Sequence, residues 1–358
     1  MRNPLDFSLL TMAQSAFALS KAQVQNEPGM IVGPIAFVFG KIIDFIFNIA
    51  YMLTENHSLG ISIIILTIIV RCFMLPLGVK QQKSMMAMQK LNPELQKIRA
   101  KYGKTKDPEV NRKMNAEIQA LYAKNKVNPL SGCLPLVITM PLFFGLHYIM
   151  NQSYLYVSKL GDVYNSLSTA IINIPGYTNI VVPLALPHIP QKMLDLPYEN
   201  QLKINVATDL SRILSKFSIQ DWNTLFAKIP TDFLPQIQEI FSHKQAIERF
   251  MGLTLTEASG TGWPGIMIPI LAAVTTLMSS YISSRMNQSN DSNAASQQRM
   301  MMVVMPLMIG FMTINMAAGV GIYWITSSVF QVAQQYVMNR RAGIPLFKDG
   351  IPFLTKKN

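Results

Sequence analysis

Long apolar stretches separated by polar, charged segments dominate the pattern of this chain. A helix needs about 20 mostly apolar residues to cross the hydrocarbon core of a bilayer. Five stretches meet this requirement, and together they contain a single charged residue, an arginine; they are residues 60–78, 131–150, 264–283, 300–317 and 319–337. The last two are joined by the short turn "MAAGVG", so we expect them to form a hairpin. The pattern predicts an all-α, polytopic membrane protein with five transmembrane helices.

A sixth apolar stretch, residues 33–53, differs because polar side chains interrupt it at helical spacing. Lys41, Asp44 and Asn48 recur every three or four residues, which places them on one face of a helix with Phe and Ile on the other. A helix of this kind lies in the membrane interface. The alternative is a sixth span, which would bury a lysine and an aspartate and would invert the N-terminus. We predict an interfacial amphipathic helix.

Charge asymmetry orients the spans. Residues 80–130 contain twelve Lys or Arg and four acids, whereas residues 151–262 contain eight Lys or Arg and nine acids. Cytoplasmic loops carry the excess of basic residues, so the first segment is predicted inside and the second outside. The segments between spans are a 1–32 outside tail or weak signal, an 80–128 cytoplasmic segment, a 151–262 extracytoplasmic segment, a 284–299 cytoplasmic loop and a basic 338–358 cytoplasmic tail. The net charge of +12 follows from this topology and does not indicate direct nucleic-acid binding.

The basic segment 80–128 is predicted to form a helical hairpin. Two helical patterns with apolar stripes flank the break "GKTKDP" at residues 103–108. Its charges are either a solvated face attracted to anionic lipid or a docking surface for an acidic partner. The candidate recruitment residues are Lys90, Lys97, Arg99, Lys101, Lys104 and Lys106.

Arg71 stands inside the first span, in the run "TIIVRCFMLPLG". Burying an arginine in a membrane costs about 2.5–3.5 kcal/mol on insertion scales. Nine residues separate Arg71 from Lys80, about 13 Å along a helix, so its side chain reaches only part of the way to the interface. The other four spans contain no Asp or Glu. We therefore expect Arg71 to face water within the bundle or to receive an acid from another molecule.

Polar side chains on other spans predict such a wet space. On the fifth span, Ser327, Gln331 and either Gln334 or Gln335 share one helical face. The individual Ser and Thr residues have a simpler explanation, because they can bond to their own backbone or join helices. We predict a hydrophilic groove open to the cytoplasm, lined by Arg71, Thr139, Trp324, Ser327, Gln331 and Gln334.

The common catalytic and phosphate-binding motifs are not found in the sequence. It contains no Gly-rich phosphate loop, no HExxH and no Ser–His nucleophile elbow. We therefore predict a non-enzyme, with no catalytic residue, metal site or cofactor. Cys72 and Cys133 are interpreted as small buried apolar residues, because both lie at or in spans near the cytoplasmic side.

Three quoted stretches carry a resemblance to a known family. They are "GISIIILTIIVRCFMLPL" (60–77), "EIQALYAKNKVNPLSGCLPLVITMPLFFGLHY" (117–148) and "RMMMVVMPLMIGFMTINMAAGVGIYWITSSVFQVAQQYVMNR" (299–340). In order and content, the chain resembles the YidC–Oxa–Alb membrane protein insertases, in the five-span form of Gram-positive bacteria. Two features depart from that pattern: the 151–262 segment is longer than usual, and a lipoprotein cysteine is not found near the N-terminus, so the expected lipid anchor is absent.

The resemblance implies a mechanism and a set of partners. It implies a five-helix bundle around a groove that is closed outside and open to the cytoplasm and to lipid. Arg71 matches the family's groove arginine, which attracts acidic residues in the extracytoplasmic tail of a client while the client's apolar segment slides into lipid. The implied partners are nascent membrane proteins with acidic extracytoplasmic tails and the phospholipid bilayer, with the ribosome, the signal recognition machinery and the Sec translocon as further candidates. The competing hypothesis is a small-anion transporter that uses Arg71, although the internal repeats typical of transporters are not found.

Overall fold

The computed structural model describes residues 32–103, 107–127, 134–189, 206–260, 262–285 and 292–341. These residues are helical apart from turns and one β-hairpin whose strands have two residues each, so the predicted all-α class is confirmed. The helices are α1 (Val32–Leu53), α2 (Ser58–Lys90), α3 (Asn92–Tyr102), α4 (Pro108–Lys124), α5 (Leu134–Asn151), α6 (Ser153–Tyr156), α7 (Ser158–Ile172), α8 (Tyr177–Ala185), α9 (Ala207–Leu214), α10 (Ile219–Lys228), α11 (Leu234–Glu248), α12 (Met267–Arg285), α13 (Ser292–Ile314) and α14 (Ala318–Arg341). A 3₁₀ turn covers Leu186–His188.

Two compact units make up the chain. The first unit contains Met1–Leu66, Pro141–Pro269 and Phe311–Tyr323. The second unit contains Thr67–Met140, Ile270–Gly310 and Trp324–Asn358.

Two of the described helices are long and apolar enough to cross a membrane: α1 and the Ser58–Met88 part of α2. Their mean hydropathies are 1.7 and 2.4 over the most apolar window. Shorter apolar stretches occur in α12 (Met267–Ser283) and α13 (Met302–Ile314). The five-span count and the segment boundaries therefore stay predictions.

Helix α1 gives its polar residues partners inside the first unit. The Asp44 carboxylate accepts hydrogen bonds from the backbone N–H and the hydroxyl of Ser158, both at 2.8 Å, at the first turn of α7. A carboxylate at a helix N-terminus is stabilised by the unpaired N–H groups there. This contact lowers the free-energy cost of burying Asp44. That cost was one reason for predicting that residues 33–53 do not form a sixth span. The interfacial placement of α1 stays a prediction.

The core of the first unit forms around α7, which packs against α9 and α11. Leu160, Leu167 and Ile171 of α7 are fully buried, as is Trp222 of α10. Helix α10 begins at a capping box, in which Ser218 and Asp221 exchange side-chain and backbone hydrogen bonds. The proline and glycine of "IPGY" coincide with the break between α7 and α8.

A buried ion pair lies within this core. The Glu248 carboxylate is fully buried and accepts hydrogen bonds from Lys244, Tyr164 and Thr256, at 2.8, 3.0 and 3.0 Å. The Lys244 ammonium also lies over the rings of Tyr164, Trp222 and Phe241, at 5.3–5.6 Å from their centroids. Burial and the neighbouring Glu248 charge raise the pKa of Tyr164 well above its usual value. The pair is thus held by hydrogen bonds and by cation–π contacts.

A backbone strap fastens the turn between α13 and α14. We call residues 255–260 the strap, because its carbonyls and amides bond to residues 314–319. The Leu255 and Glu257 carbonyls accept from Gly319 and Ala318 N–H, at 2.9 and 2.8 Å. In the other direction, strap N–H groups donate to turn carbonyls: Ser259 to Met316 at 3.1 Å and Gly260 to Ile314 at 2.9 Å. Four hydrogen bonds therefore hold the end of α13 and the "MAAGVG" turn to a segment that precedes α12.

In the second unit, α3 and α4 pack together as a helical hairpin. The Glu117 carboxylate of α4 accepts hydrogen bonds from Lys101 and Tyr102 at the end of α3, at 2.9 and 2.8 Å. Helix α3 ends at Gly103 with φ 65°, a conformation that glycine adopts without strain. Helix α4 begins with Asp107 as N-cap, accepting from the Glu109 N–H at 2.9 Å.

Candidate functional site

One face of α14 carries a polar stripe at helical spacing. Each member lies three or four residues from another member; they are Trp324, Ser327, Ser328, Gln331, Gln334 and Gln335. Ser327, Ser328 and Gln335 are buried, with 4%, 5% and 8% of their surface exposed, and the other three are half-buried. Polar side chains are costly inside an apolar surrounding unless they find hydrogen-bond partners. The stripe therefore marks a polar interior in the second unit.

Arg71 of α2 meets this stripe at Ser327. The guanidinium donates from Nε to the Ser327 hydroxyl oxygen at 2.7 Å, and its Nη2 donates to the same oxygen. Arg71 itself is half-buried. Because the serine hydroxyl is neutral, these hydrogen bonds leave the positive charge of the guanidinium in place. The site thus presents a positively charged donor on a polar helical face.

Helix α12 joins the stripe through Thr276. The indole N–H of Trp324 donates to the Thr276 hydroxyl at 3.0 Å, and the Thr276 and Ser328 hydroxyls lie 3.5 Å apart. Thr276 is buried with 9% of its surface exposed. A tryptophan N–H and a threonine hydroxyl that bond each other fix both side chains, so Trp324 is held in one orientation against α12.

The glutamines of the stripe approach α2 and α12 closely. A Cβ at Gly78 would lie 2.5 Å from the Gln334 side-chain nitrogen, so only glycine gives the amide this position. Gln335 donates from its side-chain nitrogen to the Ser283 hydroxyl at 2.7 Å. Its buried side-chain oxygen has no hydrogen-bond partner among the described residues. A buried amide oxygen left without a donor costs about 1–3 kcal/mol, which favours water or a ligand beside it.

The predicted site residues fall in the second unit. Arg71 and Ser327 are in contact, and Trp324 and Gln334 lie on the same stripe. Thr139 and Gln331 are half-buried on α5 and α14. Of the predicted recruitment residues, Lys90, Lys97 and Lys101 are exposed and Arg99 is half-buried, while Lys104 and Lys106 lie outside the described residues.

The prediction that Cys72 is buried is wrong. The structure places this free cysteine on the exposed surface of α2, beside Phe73, whose side chain is 86% exposed. In a membrane helix the lipid-facing surface is as apolar as a core, so an apolar thiol is not driven inward. Cys133 lies outside the described residues.

Gly78 and Ser283 belong to the site but were not predicted. Their signals in the sequence are weak: Gly78 is a single small residue in a run of large apolar ones, and Ser283 lies at the last position of the predicted third span. In the described part of the chain, no group of three or more His, Cys, Asp or Glu side chains could hold a metal ion.

The chain is similar to a known family of bacterial membrane proteins. Residues 50–344 match the family described as the 60Kd inner membrane protein. A protein of Lactococcus lactis named membrane protein insertase YidC 1 is 30% identical, with 96% of this chain and 94% of the relative covered. A protein of Enterococcus faecalis named membrane protein insertase YidC is 28% identical, covering 92% of this chain and 82% of the relative.

A shorter match reaches higher identity. Membrane protein insertase MisCA of Bacillus subtilis is 38% identical over 117 residues, which are 33% of this chain and 44% of the relative. These matches agree on one class, the bacterial inner membrane proteins. The chain belongs to the 60Kd inner membrane protein family, the family of the YidC insertases, and the resemblance found in its sequence is confirmed.

Proposed function

We propose that this protein is a membrane protein insertase of the bacterial plasma membrane, which uses Arg71 to capture the hydrophilic tail of a client. The observation that carries the proposal is the contact of Arg71 with Ser327 on the polar stripe of α14. A cationic donor set among neutral polar side chains is suited to an acidic peptide segment. The family membership and the names of the relatives support the same activity.

Capture exchanges one acceptor for another. The guanidinium presents N–H donors in a planar fork that matches a carboxylate bidentately. Ser327 offers it a single neutral oxygen. A carboxylate adds its own negative charge and accepts two parallel N–H bonds, so it binds the guanidinium more strongly than one neutral hydroxyl does. An acidic side chain of a client therefore displaces Ser327, and Ser327 takes the guanidinium back when the tail leaves.

The rest of the stripe serves the tail's polar backbone. A peptide segment inside the bilayer must satisfy its N–H and C=O groups, since lipid offers no hydrogen bonds. Gln331, Gln334 and the Gln335 oxygen, which has no hydrogen-bond partner within the described part of the chain, provide amide donors and acceptors for this purpose. The client's apolar segment enters lipid at the same time, and its transfer supplies the driving force. No covalent bond is made or broken.

The proposed protein has a defined orientation in the membrane and a basic cytoplasmic surface that recruits partners. The N-terminus is outside and the C-terminus is cytoplasmic, with five spans around a groove that opens to the cytoplasm. The exposed Lys97 and Lys101 of α3, with Lys90 at the end of α2, give the predicted cytoplasmic segment a basic surface. This surface attracts acidic or anionic partners, for which the ribosome, the signal recognition machinery and the Sec translocon are candidates.

The test compares Arg71→Ala and Arg71→Lys in insertion of a single-span client with an acidic extracytoplasmic tail. A matched client carries Asn and Gln in place of Asp and Glu. Hydrogen bonds to charged groups contribute about 1.5–3 kcal/mol, so Arg71→Ala should lower insertion of the acidic client about 10- to 100-fold. Arg71→Lys should retain part of the activity, and the neutral client should respond little.

Normal insertion of several acidic clients by Arg71→Ala would overturn the role of Arg71. The transporter hypothesis predicts a different result. Purified wild-type protein in liposomes would then take up a small inorganic anion, and Arg71→Ala would abolish that uptake.

A further inference from the structure

Two large apolar side chains project from the first unit close to the start of α12. Met251 is 79% exposed and Trp263 is 80% exposed. Gly252 lies close enough to Pro264 that a Cβ there would be 3.7 Å from the proline Cγ. Met251 and Trp263 are the sequence neighbours of these two residues. We call Met251 and Trp263 together the apolar tip.

Met251 occupies a position where a large apolar residue is unfavourable in water. It is the first residue of a two-residue turn that joins β1 (Arg249–Phe250) to β2 (Leu253–Thr254). Met251 has φ 52° and Gly252 has φ 84°, and positive φ at both positions defines a type I′ turn. Asn, Asp and Gly are preferred there, because other residues are strained at positive φ. An exposed methionine at this position is therefore disfavoured by both conformation and solvation, unless something apolar covers it.

Trp263 directly precedes the predicted third span, residues 264–283. Trp263 lies four positions before Met267, the first residue of α12. The intervening residues are wound into turns, with Ile266 N–H bonded to Gly262 O and Met267 N–H bonded to Pro264 O. At 1.5–2.0 Å rise per residue, Trp263 is about 6–8 Å from the start of this apolar helix along its axis. Each interfacial layer of a bilayer is about 5–8 Å thick.

We propose that the apolar tip is a membrane anchor that inserts into the boundary between headgroups and acyl chains beside the first turn of α12. Tryptophan suits this layer because its ring is apolar and its N–H can bond to headgroups. The exposed Arg249 lies two residues before Met251 and places a cation near lipid phosphates.

A lipid surface fits the apolar tip better than a protein partner does. The tip is continuous in the chain with α12, whose apolar stretch Met267–Ser283 lies within the predicted third span, residues 264–283. A bilayer that receives α12 is therefore always beside Trp263. The anchor seats the strap and the buried core behind it on the membrane, and it depends on the entry of α12 into lipid but not on client capture.

The tryptophans of this chain make the test direct. The chain contains three, Trp222, Trp263 and Trp324, so the variant W222F/W324F leaves Trp263 as the only reporter. This full-length variant is placed in vesicles of anionic phospholipid brominated either near the headgroup end or near the tail end of the acyl chains. Insertion predicts blue-shifted emission and loss of most of it with bromine near the headgroup end, and little loss with bromine at the tail end.

The matched comparison is W263F/W324F, which reports on the fully buried Trp222 and should be insensitive to bromine at either position. Adding Met251→Asn to the Trp263 reporter should shift its emission to the red and weaken the quenching. The Asn-Gly turn suits the backbone at this site, so this change removes the apolar contact without straining the hairpin.

Emission of Trp263 typical of water, without quenching, would overturn the anchor. Blue-shifted emission without quenching would also overturn it, since it would mean that a second copy of the protein covers the tip. If W222F/W324F does not fold, Trp263→Cys with a bimane label, in a C72S/C133S background, gives the same test with the same brominated vesicles.

Discussion

The guanidinium of Arg71 donates twice to one serine oxygen, and this detail defines how the residue can be tested without removing it. A carboxylate built into the chain at Ser327 would pair with Arg71 permanently. A charge-assisted pair held within the protein would then compete with any client carboxylate at a very high effective concentration.

Ser327→Asp should therefore block insertion of acidic clients although Arg71 is intact. Ser327→Asn, similar in size and neutral, should retain most of the activity. Insertion of the acidic client is measured for both variants beside the wild type. Equal activity of the two variants would contradict an electrostatic role for Arg71.

Arg71 could be found from the sequence because a single charge in a long apolar run is conspicuous. Its partner could only be predicted as one of several residues on the fifth span. Residues 71 and 327 are far apart in the chain, and only helix packing decides which polar group of the stripe reaches the guanidinium.

The buried pair of Lys244 and Glu248 was not predicted, although its spacing of four residues on one helix is a recognisable signal. Exposed pairs with this spacing are common, and the sequence does not show burial. The rings of Tyr164, Trp222 and Phe241 that enclose the lysine come from three different helices.

Glu248→Ala should destabilise the first unit by about 3–5 kcal/mol, because it leaves the Lys244 charge buried without its carboxylate. The double variant K244M/E248M should lose less, since it leaves no charge buried, although the Tyr164 and Thr256 hydroxyls lose their acceptor. Urea unfolding followed by Trp222 fluorescence measures both. A double variant as unstable as Glu248→Ala would show that the charges themselves are needed.

For helices α3 and α4, the sequence predicted the break between them but not where the preceding helix ends. The break at 103–108 was visible because Gly103 and Pro108 mark a helix end and a helix start. What the pattern did not show is that α2 continues without interruption from Ser58 to Lys90, beyond the predicted span. Hydropathy changes near residue 78, but helix propensity does not, so composition locates the edge of the apolar run and not the end of the helix.

The hairpin of α3 and α4 should loosen at acidic pH. Hydrogen bonds from Lys101 and Tyr102 lower the pKa of Glu117 below its usual 4.5. A lowered pKa means that this contribution to stability is present above the pKa of the unfolded chain and is lost as pH falls through the lower folded value.

The hydrogen-exchange protection factors of the α3 and α4 amides should fall in that acidic range, and at neutral pH these amides should exchange faster in Glu117→Gln than in the wild type. Lys113→Gln, an exposed change on the same helix, is the control. Unchanged exchange in Glu117→Gln would show that apolar packing alone holds the hairpin.

Across the whole molecule, the long segment between the second and third predicted spans was the least predictable part. Its helices are short and its core is assembled from several of them, so the amphipathic pattern of one helix does not show which helices it packs against. The strap is less predictable still, because its hydrogen bonds join backbone groups and leave no side-chain pattern.

Gly265 connects the strap to α12 and should tolerate no side chain. A Cβ there would lie 1.8 Å from the Ser259 carbonyl oxygen, a backbone atom that cannot rotate away. Gly265→Ala should cost about 4 kcal/mol, at the upper end of single-residue effects. Gly262→Ala meets nothing within 4 Å and should be close to neutral. Protease resistance of the 206–260 region compares them, and equal resistance would contradict this account.

The strap also implies an order of events during biosynthesis. Residues 255–260 leave the ribosome before residues 314–319. Four backbone groups of the strap, two carbonyls and two N–H groups, therefore lack their protein partners until the C-terminal hairpin has been made. The nascent protein is therefore incomplete until its last two helices are in place. A ribosome stalled before residue 314 should leave an intermediate whose strap is open to protease, and release of the full chain should close it.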